Sequence, residues 1–371
     1  MSHKRPTAID LFCGAGSLTL GLKKAGFDVL LGVEINHEVA KTYTANHPKT
    51  KLLIKDVRNV TFEEISNATK KKKIDLVVGC PPCQGFSQLT EKWKKHDPRN
   101  DLVLEMARIV EKIKPRMVMM ENVAGITTKG KSILSEFVER LKRIGFIVNT
   151  GVLQMADYGI PQSRRRFVLL AGMGFEISLP KPTHNYKGDK NKKLKPWATI
   201  SGVIANMPKP VTLSYATKDG CPEKFNWHVV RDLKPISLER LKFVNEGDDR
   251  TVLPEFLRPK CHRNTYDGFK NVYGRMRWDC VAPTITSGCT TPCMGRFGHP
   301  KETRTISVRE AALIQSFPQN YRFRTKYMDI ACDLVGNALP YKFATVVAKT
   351  CLKTMARQRA RRNENGRSIA S

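Results

Sequence analysis

Acidic side chains are scarce in this chain, and long apolar runs are missing. Among 371 residues, 34 Asp and Glu stand against 64 Lys and Arg, giving a formal charge of +30. An excess of that size sets up a long-range field that favours polyanionic partners, nucleic acid first among them. It leans toward the second half: residues 1–180 hold 29 basic and 18 acidic side chains, whereas 181–371 hold 35 and 16. No apolar stretch approaches the roughly 18 residues that a membrane span needs. Met1–Arg5 leads into a short strand-like segment rather than a signal-peptide core. The expectation is a soluble cytoplasmic protein with no membrane partner. The ten cysteines, without an export signal in a chain of this length, read as reduced thiols rather than a disulfide framework. Internal repeats are absent as well, and a chain this long with 41% hydrophobic residues can bury a sizeable core and divide into two domains.

What is present is an alternation of short β-rich runs with helical segments. Thr7–Phe12, Phe27–Glu34, Lys51–Lys55, Ile74–Gly79, Met117–Met120, Phe146–Leu153 and Phe167–Ala171 read as strands. Ser17–Ala25, His37–Asn46, Asp101–Ile113 and Lys131–Ile144 read as helices. Such alternation predicts an α/β fold, a doubly wound and mainly parallel sheet. Regularity stops near Leu179, and Lys181–Pro196 has the Pro, Lys, Asn and Gly content of a linker or solvated loop. From residue 197 to about 300 the chain predicts a second, smaller, irregular and basic domain. Helical spacing returns at Ser307–Gln315 and Pro340–Met355, while the Arg-rich stretch Arg357–Ser371 is expected to be disordered.

Four segments carry candidate chemistry. The first strand runs into Cys13-Gly14-Ala15-Gly16-Ser17, a glycine-bearing turn that opens a helix, and Glu34 ends the next strand, where a carboxylate can accept both hydroxyls of a ribose. That pairing predicts a nucleoside cofactor; the third glycine, Gly21, is out of place for a dinucleotide fingerprint. Cys80-Pro81-Pro82-Cys83-Gln84-Gly85 follows the Ile74–Val78 run, at the carboxyl end of a strand where α/β proteins keep their sites. A zinc site needs more ligands than Cys80 and Cys83 supply, and a redox pair usually starts a helix. A nucleophilic cysteine held by a proline-stiffened loop is the sharper reading, and an inert core thiol the plainer one. Glu121 ends the apolar run Met117–Met120, where burial disfavours its charged form and suits it to donate a proton. Finally, Gln162-Ser163-Arg164-Arg165-Arg166 enters an apolar strand, so that Gln162, Arg164 and Arg166 share a face and Arg165 points away.

In this order and at these spacings, the segments resemble the DNA cytosine-5 methyltransferase family, of the bacterial restriction-modification type. Arg304–Pro318 and Gly336-Asn337-Ala338-Leu339-Pro340 extend the resemblance over most of the chain. It implies the fold of S-adenosylmethionine-dependent methyltransferases, with a catalytic and cofactor-binding domain in residues 1–180 and 304–356. Residues 181–303 would be the target-recognition region, with Arg258, Arg263 and Arg275 as candidate base readers, and residues 357–371 a basic tail. Cys83 is then the nucleophile that adds to C6 of a flipped-out cytosine in double-stranded DNA, with the Gln88–Arg99 stretch as a closing lid. Glu121, kept protonated, meets N3, and Arg164 with Arg166 holds the base at O2 and orients the loop. For S-adenosylmethionine, Phe12 would cover the adenine and Asp56 with Val57 would meet its edge. Gly14, Ala15, Gly16 and Ser17 would face the methionine portion, Glu34 and Ile35 the ribose, and Asn337 with Ala338 would close the pocket. No metal enters.

The resemblance also allows a cognate restriction endonuclease acting separately, a monomeric enzyme and a nucleoid location. Competing readings are a dehydrogenase, resting on the glycine turn and Glu34 alone, and a catalytically silent DNA-binding relative, in which Cys83 or Glu121 would be lost. A tRNA-methylating relative would carry a Cys-Phe-Thr signature that this chain lacks.

Overall fold

A computed structural model describes residues 5–82, 98–263 and 269–368. The first half builds β1 (Thr7–Leu11), α1 (Ser17–Ala25), β2 (Asp28–Glu34), α2 (His37–Asn46), β3 (Lys51–Ile54), α3 (Phe62–Ala68) and β4 (Leu76–Gly79). It continues with α4 (Leu102–Ile113), β5 (Met117–Val123), α5 (Lys131–Arg143), β6 (Phe146–Gln154) and β7 (Arg165–Met173). The seven strands form one sheet in the order β3-β2-β1-β4-β5-β7-β6. Pairing is parallel from β3 to β5, whereas β7 runs antiparallel to both β5 and β6.

The central strands are apolar on both faces because helices cover both. Alternate residues divide between two cores, as a two-residue period requires. Ile9, Leu11, Val77, Val118, Met120 and Leu169 face Ile65, Met106, Val110 and Phe137 of α3, α4 and α5. Ala8, Val78, Met119 and Val168 face Leu18 and Leu22 of α1 together with Phe343, Val347 and Cys351 near the end of the chain. Strand order reverses between β1 and β4, which pair Leu11 with Gly79. Two loops therefore leave the carboxyl edge side by side there, the position at which open α/β sheets hold their ligands.

After β7 the chain forms a three-stranded sheet from β8 (His184–Asn185), β9 (Lys187–Asp189) and β10 (Leu194–Pro196). This corrects the linker expected over Lys181–Pro196: the segment is docked, with the Trp197 indole donating to Asp157 at 2.8 Å and Thr183 N–H to the Asp157 carbonyl at 2.9 Å. Strands of two or three residues leave no periodicity to read. Then follow α6 (Ser201–Ile204), β11 (Val211–Thr212), α7 (Leu213–Lys218), β12 (Val229–Val230), α8 (Pro235–Phe243), α9 (Val308–Ile314), α10 (Met328–Gly336) and α11 (Tyr341–Ser368). A third core gathers Ile200, Trp227, Met276, Ile285 and Phe297 with Ile306, Val308, Phe317, Phe323 and Val335. The 306–335 stretch thus packs with residues 200–297, while α11 returns to α1.

The return of α11 depends on Gly21, where an added Cβ would stand 2.5 Å from that of Ala344. The glycine that looked misplaced for a dinucleotide turn is a helix-packing position. A second correction concerns the tail, expected to be disordered from Arg357: α11 runs on through Ser368. Its Ala and Arg residues are good helix formers, and extending a helix costs far less than nucleating one. Among the described residues, no helix is long and apolar enough to cross a membrane.

Candidate active site

The glycine turn grows out of β1 through three left-handed residues, Phe12 at φ 58°, Gly14 at 53° and Gly16 at 85°. Gly16 is required twice over, because besides its positive φ an added Cβ would lie 2.5 Å from the His47 ring. The His47 ring meets the Gly16 carbonyl at 2.9 Å and the Tyr321 hydroxyl at 3.2 Å, and Tyr321 donates to the Ala15 carbonyl at 2.5 Å. Phe12 is half-buried against the core beneath α4.

Glu34 straddles the turn and the next helix. Its Oε2 accepts from Gly14 N–H at 3.0 Å and its Oε1 from Asn36 N–H at 2.8 Å. Burial raises the Glu34 carboxyl above its ordinary range, and those backbone donors partly restore it. Ile35 beside it is exposed. Asp56 caps the short turn Val57–Asn59 and pairs with Arg58 at 2.5 Å; hydrogen bonding from Arg58 holds it below the usual carboxylate range. Val57 is buried. The last motif reaches the same turn, since the buried Ser17 hydroxyl donates to the Leu339 carbonyl at 2.5 Å. Asn337 is exposed at the end of α10 and Ala338 is half-buried.

One strand over, Glu121 lies opposite Val168 and Arg166 opposite Val123, so the two side chains meet diagonally on one face of the β5–β7 pair. Arg166 Nε stands 3.0 Å from Glu121 Oε1, both side chains largely buried, and Arg166 Nη1 also donates to the Arg165 carbonyl at 2.8 Å. Asn122 Nδ2 donates to the Pro81 carbonyl at 3.2 Å and ties the end of β5 to the loop leaving β4. Cys80 is at the root of that loop. Burial pushes its thiol well up, and the Glu121 and Asp10 carboxylates push it further, which keeps it a poor nucleophile. Cys83 and the Gln88–Arg99 stretch as far as residue 97 lie outside the described residues.

Arg164 has a different setting from Arg166. Its guanidinium is buried and donates to the carbonyls of Ile285 at 2.8 Å, Gly336 at 3.1 Å and Ala338 at 3.4 Å. Gln162 works alongside, donating to Gln315 at 2.8 Å and accepting from Ile285 N–H at 2.9 Å, while Gln315 holds the Val335 carbonyl at 2.7 Å. Gln162 and Arg164 thus lock residue 285, the 335–338 turn and the start of β7 together. Arg165, as the strand alternation predicts, is exposed.

Of the three candidate base readers, Arg275 is corrected: it is buried and spends its guanidinium on the carbonyls of Leu241, Val244, His299 and Glu302. Arg258 and Arg263 each give Nε to a nearby carbonyl, of Leu253 and Arg258 respectively. The sequence reading missed Asn122, Gln315 and the carboxylate of Asp10. An open groove of about 950 Å³ between α2 and Arg324–Tyr327 contains none of the expected site residues.

The family model for C-5 cytosine-specific DNA methylases matches residues 7–353. The chain belongs to that family. Its members are DNA cytosine-5 methyltransferases, and the chain is an enzyme of this class. It is 35% identical over 348 residues to the Type II methylase M.HgiDII of Herpetosiphon aurantiacus, covering 92% of this chain and 94% of the relative. To the Type II methyltransferase M1.HphI of Haemophilus parahaemolyticus it is 34% identical over 352 residues, 94% of this chain and 87% of the relative. In fold it is similar to a prophage-encoded DNA modification methyltransferase of E. coli, with a TM-score of 0.71 at 23% identity over 95% of this chain and 99% of that one.

Proposed function

We propose that this cytosine-5 methyltransferase uses S-adenosylmethionine and attacks a flipped-out cytosine through Cys83. The observation that carries the reading is the Glu121–Arg166 pair at the carboxyl edge of the sheet, next to the loop that Asn122 fastens at Pro81 and that leads into Cys83. The cofactor fits the glycine turn. An added Cβ on Gly14 would meet nothing nearer than 4.0 Å, so the backbone is open to a ligand, and the Glu34 carboxylate stands beside that opening, accepting from the Gly14 N–H.

Cytosine C5 is a poor nucleophile until a group adds across C6, and a thiolate adds there reversibly. Cys83 forms that bond, and Glu121, a carboxylate paired with Arg166 in the structure, takes up a proton from solvent and gives it to N3, which draws off the charge that develops on the ring. Arg166 orients Glu121 and reaches O2 of the base. Arg164 acts one step back, fixing the 335–338 turn behind the glycine turn. S-adenosylmethionine supplies, when bound, the methyl group that C5 takes. Loss of the C5 proton then releases Cys83. A base inside a duplex cannot reach this cysteine, so the target leaves the stack. Residues 181–303 read the DNA sequence, and the basic excess holds phosphate. In a bacterial cell such a monomer would act on the nucleoid and protect its sites from a cognate endonuclease.

Bisulfite sequencing of duplex DNA treated with the purified protein and S-adenosylmethionine tests this. The expected result is protected cytosines within one short sequence, absent with Cys83→Ala. Unprotected DNA from the wild-type protein, or equal protection by the variant, would overturn the reading.

A further inference from the structure

Basic side chains in the first half of the chain are divided unevenly between the two edges of the sheet. β1 to β5 are parallel, and β6 shares their direction because β7 is antiparallel to both β5 and β6, so six strands start at one edge and end at the other. The glycine turn, Glu34, Cys80 and Glu121 stand where these strands end. At that carboxyl edge the segments 12–17, 34–38, 55–59, 80–82, 121–131 and 155–164 hold five basic and five acidic side chains. The opposite edge is built from segments 5–7, 23–28, 70–75, 112–117, 142–145 and 173–176, which hold twelve basic side chains and three acidic ones. These segments join into one rim. Asp28 N–H donates to the Pro6 carbonyl at 2.8 Å, the Thr7 hydroxyl to that of Lys73 at 2.5 Å and Met117 N–H to that of Asp75 at 2.9 Å. Met173 N–H reaches the Arg116 carbonyl and Gly174 N–H that of Gly145, each at 2.9 Å.

Two turns of the rim use glycine in the left-handed conformation, Gly26 at φ 119° and Gly145 at 97°. Two others place exposed lysines there, Lys70 at 54°, Lys71 at 53° and Lys114 at 46°. Lysine is strained at positive φ and glycine is not, so what these side chains add is charge. Asp28 meets Lys72 and Asp75 meets Arg116, each at 3.8 Å, which neutralises little of the excess. α11 extends the same surface. An added Cβ on Gly21 would meet Ala344 and one on Gly26 would meet Leu352, so α11 runs beside α1 toward the rim. It continues sixteen residues past Leu352, about 24 Å of helix, with Lys353, Arg357, Arg359 and Arg361 exposed and no acidic residue between Tyr341 and Arg361.

We propose that this rim, with the far half of α11, is a second surface for duplex DNA, held through phosphate on the side of the sheet away from the reacting edge. From β2 to β6 the rim spans five strand spacings, about 24 Å, the length of roughly seven base pairs. The rim segments and α11 expose no aromatic side chain on which an unpaired base could stack, which favours a duplex over a single strand. Ile147 is the large apolar side chain exposed beside them, too little for insertion into a lipid surface. The seven residues of β2 set the two edges about 23 Å apart, so a straight duplex lying on one does not touch the other. The rim therefore takes a second segment, and an enzyme holding two segments at once moves along a long DNA without letting go.

Native mass spectrometry of the whole protein with an excess of short duplex at low salt tests this by counting, without any turnover. One chain should carry two duplexes. If the rim holds four phosphates, affinity for the second duplex should fall about 150-fold between about 50 and 200 mM salt. Lys70→Asn, Lys71→Asn, Lys73→Gln and Lys114→Asn combined, with asparagine where the backbone is left-handed, should leave one duplex per chain and an unchanged affinity for it. Should that variant fail to fold, Arg357→Gln, Arg359→Gln and Arg361→Gln on the exposed end of α11 should lower occupancy by the second duplex in the same way. A single duplex on the wild-type chain, two duplexes retained by the variants, or complexes of two chains with two duplexes would overturn the proposal. Co-sedimentation with vesicles of phosphatidylglycerol and phosphatidylcholine is the second arm: vesicle binding that the variants lose, with one duplex on the wild-type chain, would assign the rim to lipid and overturn it as well.

Discussion

Arginine 164 separates a strut from a base contact, and its replacement gives a measurable answer. Arg164→Met keeps the apolar stem and removes the guanidinium, which donates to three carbonyls, those of Ile285, Gly336 and Ala338. Each hydrogen bond is worth about 1 kcal/mol net, more from a charged donor, and each carbonyl left buried without a donor adds desolvation of similar size. The 3.4 Å contact to Ala338 is the weakest of the set. The expected loss of stability is about 3–5 kcal/mol, in the range for deleting one partner of a buried charged network. Urea unfolding followed by tryptophan fluorescence should show the midpoint fall with an unchanged slope. Cofactor affinity should fall too, because the Gly336 and Ala338 carbonyls belong to the turn that reaches Ser17 through Leu339. If the variant unfolds at the wild-type midpoint and binds cofactor normally while methyl transfer collapses, Arg164 touches the base and the strut assignment is wrong.

Further outcomes follow from charge, titration and the division of the chain. DNA affinity should drop as salt rises, with a log–log slope of about −0.9 for each phosphate neutralised, and a flat dependence in a filter-binding series would detach the basic excess from DNA. Burial lowers His47 and His299 from 6.5 to about 4. A histidine depressed in the folded state contributes stability above its unfolded value and loses it as pH falls, so stability should decline between about pH 6.5 and 4, by up to about 3 kcal/mol per ring. His47→Gln should remove its share from the pH profile of denaturation midpoints; an unaltered profile would refute it. Grafting residues 181–303 onto a relative of different specificity should carry the methylated sequence with the graft, with Arg258 and Arg263 as base-reading candidates costing about 1–3 kcal/mol per lost contact. A chimaera that methylates the acceptor's old sites would place recognition elsewhere.

The sheet was legible because its strands are short apolar runs separated by helices of regular period, and β1, β2 and β4 fall where the pattern puts them. The diagonal meeting of Glu121 and Arg166 was not legible, since it depends on β7 reversing direction beside β5, and register between strands some forty residues apart leaves no local trace. α3 was passed over although Thr61 and Glu64 form a capping box readable as Thr-x-x-Glu. Arg164, Arg166 and Arg275 look alike in sequence. Only tertiary placement separates a guanidinium consumed by carbonyls from one beside a carboxylate. Asp10 did carry a signal, a carboxylate inside the apolar strand TAIDL, the same pattern that singled out Glu121.

The central claim, covalent attack by Cys83 beside Glu121 and Arg166, is tested most directly with duplex DNA carrying 5-fluorocytosine at the target, incubated with the protein and S-adenosylmethionine and mapped by mass spectrometry. Fluorine blocks loss of the C5 substituent, so a stable methylated adduct should accumulate on Cys83 and be absent in Cys83→Ala. An adduct that persists in that variant, or that maps to Cys80, would contradict the account.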